Sequence, residues 1–82
     1  MTKLDARTLD FFDRNVINLI VEKYGLTEKK AISDFINSKT YKMLADKETG
    51  IYYFSPYVVL ELWESEKITG EPQNSQYIRN ET

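Results

Sequence analysis

Apolar positions along this chain fall into spaced stripes and one dense cluster, separated by polar intervals, and the pattern predicts four helices over about residues 5–24, 27–37, 39–46 and 55–69. In the first, Leu9, Phe12, Val16, Leu19, Ile20 and Tyr24 recur at the spacing of one helical face, and Phe11, Ile17 and Val21 widen the stripe enough to predict more than one neighbour. Thr2 with Asp5 resembles a capping box, and Asp5 is itself a candidate cap. Gly25 fits the left-handed closing position, with Leu26 folding back on Val21. Thr27 caps the second helix, with Glu28 in its first turn. Ala31, Ile32, Phe35 and Ile36 form its inner face, and Lys29, Lys30, Ser33 and Asp34 point outward. After a break at Asn37 or Ser38, the third helix turns Tyr41, Leu44 and Ala45 inward and Lys39, Lys42 and Asp46 outward, with Met43 open to either side.

The dense cluster is Tyr57, Val58, Val59, Leu60, Leu62 and Trp63. A helix apolar on nearly every side must be covered by other elements, so the fourth helix is expected at the centre of the bundle. Its ends are marked by Ser55 as cap, Pro56 at the first helical position, Gly70 as the closing residue and Pro72 beyond it. Between the third and fourth helices, residues 46–50 read as a polar turn ending in glycine. Residues 51–54 read as a short extended connector that lays aromatic side chains on the core. The expected fold is therefore all-α, a small four-helix bundle over residues 1–70. Residues 71–82 form a polar tail without fixed conformation.

Composition narrows the chemistry more than the architecture. The 82 residues include neither cysteine nor histidine, which removes disulfides, thiolate chemistry, the usual zinc ligands and the usual base near neutral pH. No apolar run approaches the roughly 18 residues of a membrane span, and the first residues lack the core of a signal peptide, so a cytoplasmic protein is expected. Charge is uneven along the chain: zero over residues 1–26, plus two over 27–47 and minus four over 48–82, for the net −2. A net-negative chain is a poor non-specific binder of nucleic acid, and only the middle segment escapes that objection.

That segment carries the more mechanical of two binding readings. Helix, short turn and helix over residues 27–46 resemble a helix-turn-helix, in which Ser38, Lys39, Thr40 and Lys42 would face the major groove and phosphates. The turn lacks glycine and the would-be reading helix lacks arginine, so a plain helical hairpin is the stronger expectation. The other reading rests on Tyr52, Tyr53, Phe54, Tyr57 and Trp63, as core or as a docking surface. Consecutive residues of an extended segment point to opposite sides, so Tyr52 and Tyr53 cannot share one interior. With Tyr57 they are the candidate partner-binding residues. The first and last helices also carry more apolar surface than a monomer of this size readily covers, which points to a protein partner or a second copy. Glu61, Glu64 and Glu66 are expected on a solvated face, with Lys67 offsetting Glu64. Neither calcium-loop spacing nor a glycine-rich phosphate loop is present, so no cofactor, metal or catalytic residue is expected.

The order Asn37-Ser38-x-Thr40-Tyr41-x-x-Leu44, then Asp46-x-Glu48-Thr49-Gly50-x-Tyr52, then Ser55-Pro56 with the leucine pattern of the fourth helix, resembles a family of short uncharacterised bacterial proteins. Its members are often encoded beside toxin–antitoxin genes, and the likeness covers about residues 27–66. The resemblance implies a cytoplasmic accessory protein that binds a partner encoded nearby. It carries no catalytic residues.

Overall fold

A computed structural model describes residues 3–72 and is all-α. Four helices run in chain order: α1 (Ala6–Tyr24), α2 (Glu28–Ile36), α3 (Lys39–Ala45) and α4 (Pro56–Thr69). Every helix start carries a local side-chain cap. Asp5, Thr27, Ser38 and Ser55 each turn a side-chain oxygen onto a backbone N–H three residues ahead. Gly25 and Gly70 close α1 and α4 at φ 66° and 87°, where a side chain would strain the backbone. Thr2, the other half of the expected capping box, lies outside the described residues.

α4 packs between α1 and α3, and α2 closes against α1. Val59, Leu60, Leu62 and Trp63 are buried among Phe12, Val16 and Ile20 of α1, Phe35 of α2 and Leu44 of α3 in one core. The central placement of α4 follows from that covering, with one correction: Tyr57 is 68% exposed. It sits at the second helical position, where α4 has only begun to enter the core, and its ring points out. Ile32, expected inside, is likewise exposed at the margin of α2.

The connector is not extended. Residues Lys47–Thr49 and Ile51–Tyr53 form two successive 3-10 turns, with Gly50 at φ 72° between them. Local hydrogen bonds favour this over strand geometry. Asp46 accepts from Glu48 N at 3.0 Å, and the Thr49 hydroxyl donates to the carbonyls of Met43 at 2.5 Å and Asp46 at 2.9 Å. With about three residues per turn, neighbouring side chains lie about 120° apart rather than on opposite faces. The rings of Tyr52 and Tyr53 consequently stack, with centroids 4.4 Å apart. Ile51, not a tyrosine, fills the core from this segment.

Strands are absent among the described residues, where the one β-type contact is an isolated bridge between Lys3 and Asp46, with Leu4 N donating to Ala45 O at 2.8 Å. The ordered chain also runs past Gly70: Pro72 is buried and Glu71 pairs with Lys39 at 2.8 Å. The rest of the expected tail, residues 73–82, lies outside the described residues.

Candidate functional site

Two exposed aromatic side chains meet where α1 approaches the start of α4, Tyr57 at 68% and Phe11 at 52% exposed, and Tyr53, stacked on Tyr52 in the connector, is 80% exposed. Phe11 and Tyr57 flank a cleft of about 340 Å³, with Leu19, Pro56, Asn15 and Glu22 completing its walls. Pro56, fixed at the first helical position, sets the direction from which Tyr57 leaves α4. Phe11 is held by an edge-on contact with buried Phe12, ring centroids 5.4 Å apart, while Asn15 Nδ2 donates to its carbonyl at 2.8 Å. Tyr52 is only half-buried, packs against the core and shares a hydrogen bond with Tyr53 that holds its hydroxyl above the usual tyrosine range.

Of the three tyrosines expected to meet a partner, Tyr53 and Tyr57 are thus exposed, and Tyr52 backs the ring of Tyr53. Phe11 was missed as a surface residue because it widens the apolar stripe of α1. Its own face carried the signal: positions four, seven and eleven residues on are Asn15, Asn18 and Glu22, all polar.

The residues of the groove-reading alternative are placed differently. Ser38 and Thr40 are buried, and the first N–H groups of α3 are fully engaged. Ser38 N donates to Phe35 O at 3.1 Å and Tyr41 N to Ser38 Oγ at 3.1 Å. The carboxylate of Glu66, from α4, accepts from Lys39 N and Thr40 N, each at 2.9 Å, and from the Thr40 hydroxyl at 2.8 Å. All four donors that a helix start leaves open therefore have protein partners. The Lys39 ammonium is bonded to Gly70 O at 3.0 Å and to Glu71, whose hydrogen bond raises its pKa. Of the four, Lys42 projects from α3 without such a partner among the described residues, and a single lysine cannot read a groove.

Two of the three acidic positions on α4 are likewise not solvated as expected. Glu66 is the inter-helix cap just described. Glu64 pairs with Lys23 of α1 at 2.6 Å and accepts from the Tyr24 hydroxyl. Burial pushes its carboxyl up, but the Lys23 and Tyr24 contacts outweigh that and leave its pKa lowered. Lys67 lies over the Trp63 ring, 5.0 Å from the centroid, instead of offsetting Glu64. Only Glu61 stays exposed.

Among the described residues no group of three or more acidic side chains is placed to hold a metal ion, and no helix is long and apolar enough to cross a membrane. The chain matches no family model, no curated protein and no solved structure.

Proposed function

We propose that this chain is a non-enzymatic interaction module that docks another protein through the surface formed by Phe11 and Tyr57, with exposed Tyr53 as a further contact. The observation that carries this reading is the exposure of two large aromatic rings, Phe11 and Tyr57, on a cleft that folding has left open. Tyrosine and phenylalanine in such a position supply large contact area at low entropic cost and serve as interface anchors. A side-chain set without cysteine or histidine offers less for catalysis, which supports a binding role over an enzymatic one. The resemblance over residues 27–66 directs the search for the partner toward products of adjacent bacterial genes, with antitoxin-like accessory proteins as its functional type.

Co-expression with the products of the adjacent genes, scored by size-exclusion chromatography with light scattering, tests it. The parent chain is expected to form a complex or a dimer that the Phe11→Ser, Tyr57→Ser double variant does not form. A chain that stays monomeric and joins none of those products contradicts the reading.

A further inference from the structure

Both ends of α3 are held by chain that is distant in sequence. At its start, Glu66 of α4 accepts from Lys39 N and Thr40 N, and the Lys39 ammonium donates to Gly70 O at 3.0 Å and to Glu71 at 2.8 Å. At its other end, Leu4 N donates at 2.8 Å to Ala45 O, one of the last carbonyls that a helix leaves open, and the Leu4 side chain is buried in the core. Lys3 and Asp46 form an antiparallel bridge beside that bond. The segment before α1 and the end of α4 are thus joined to opposite ends of one 7-residue helix.

A helix this short has no stability of its own, because nucleating its first turn costs more than a few hydrogen bonds return. Its order comes from what its ends and inner face touch. Thr40 and Leu44 are fully buried, and the Tyr41 ring stands edge-on to Phe35 with centroids 5.4 Å apart. Lifting either end therefore leaves no stable half-helix behind. We propose that α3 is a clasp that opens as one unit and couples the segment Lys3–Leu4 to the C-terminal end of α4. The closed state is the one described above. The open state withdraws Tyr41 and Leu44 from the core and bares the Phe35 ring, while α1 and α4, which pack on each other directly, stay joined. Whatever takes hold of one end is felt at the other, and by linkage the effect is equal in both directions. The clasp is independent of the aromatic surface of Phe11 and Tyr57 and stands or falls separately.

Native-state hydrogen exchange of the full chain tests it, with the amides of Leu4, Thr40 and Asp46 as reporters. Their N–H groups donate to Ala45 O, to Glu66 and to Lys42 O, the last at 3.2 Å. In the unmodified chain the three are expected to exchange through a common opening, with protection at least about tenfold below that of Val16 and Ile20 in the buried middle of α1. Glu66→Ala and Leu4→Ala then act on opposite ends. Glu66→Ala is expected to lower protection at Leu4 and Asp46, and Leu4→Ala to lower it at Thr40, by at least about tenfold in each case, the effect of unpaired donors or of one truncated core side chain. Lys39→Met removes only the bonds to Gly70 and Glu71 and keeps the Glu66 cap, so it is the mild variant that preserves the fold. Its expected effect is about a twofold fall shared by all three reporters, the size of one exposed ion pair. Reporters in the unmodified chain as strongly protected as Val16 and Ile20 would overturn the proposal. So would a fall confined to the near end, at Thr40 in Glu66→Ala and Lys39→Met and at Asp46 in Leu4→Ala.

Discussion

Two carboxylates set into helix junctions of the same small bundle have opposite fates. Glu66 reaches from α4 to the start of α3 and accepts three hydrogen bonds, two of them from backbone N–H groups that would otherwise be bare. Asp13, at the junction of α1 with α2, has one oxygen sealed away with no donor to it among the described residues. The difference is one of supply. A helix start offers donors with a partial positive charge, so a carboxylate placed there is stabilised on both counts. The side of a helix offers no donors, because its N–H groups are already used within the ladder. Burying a carboxylate in one place builds the fold, and in the other it costs the charged form its solvation.

The largest effect is expected from removing the satisfied partner. Glu66→Ala leaves two backbone donors and the buried Thr40 hydroxyl unpaired and should lower unfolding stability by about 3 kcal/mol, read as a shift in urea midpoint. Because α3 has only 7 residues, it should fray first, which amide hydrogen exchange at Thr40 and Tyr41 would detect. Glu66→Gln keeps one acceptor but turns an amide donor toward a backbone N–H, and should cost about half as much. A neutral outcome for both would erase the contrast.

Asp13→Asn is expected to move in the other direction. Its carboxyl is raised in the folded chain, so the stability tied to its protonation is fully present below the unfolded carboxylate range and is lost as pH rises through about 6. Relative to the parent, Asp13→Asn should be more stable by roughly 1 kcal/mol at pH 7.5, after discounting for the exposed half of the group, and indistinguishable at pH 4. Thermal unfolding of both chains across that range checks the sign.

Glu64 is the intermediate case, a partly buried carboxylate matched by side chains alone. Its lowered pKa means that its stabilisation is present above the ordinary carboxylate range and lost as pH falls through the folded value. Glu64→Gln should therefore cost under about 1 kcal/mol at pH 7, with the difference vanishing in acid. The smallest effect on stability belongs to Tyr57→Ser, within about 0.5 kcal/mol, since the ring is mostly in water. If that substitution also leaves complex formation untouched, the aromatic surface is not the docking site.

What could be read from the sequence follows the range of the interactions. Caps at Asp5, Thr27, Ser38 and Ser55 and closures at Gly25 and Gly70 involve residues a few positions apart, so their chemistry is written in adjacent letters. The stripes of α1 and α2 and the dense run of α4 likewise expose the core by spacing alone. Glu66 could not be read this way. Its partners are 26 and 27 residues distant, and nothing in its own neighbourhood separates it from Glu61, which is exposed. Tyr57 failed for a different reason. Density of apolar letters identifies a buried helix but not where along its first turn burial begins. The second 3-10 turn was hidden because Ile51, Tyr52, Tyr53 and Phe54 favour strands by propensity, while the bonds from Tyr53 N to Gly50 O and from Phe54 N to Ile51 O wind them tighter.

The contrast between the two carboxylates is tested most directly by following the Asp13 side-chain carbon in a ¹³C-detected NMR titration of the unmodified chain. A midpoint near 6, well above that of the exposed carboxylates in the same spectra, is the expected result. A midpoint in the ordinary aspartate range of about 3.9 would mean that Asp13 is hydrated or paired within the chain, and would contradict the account.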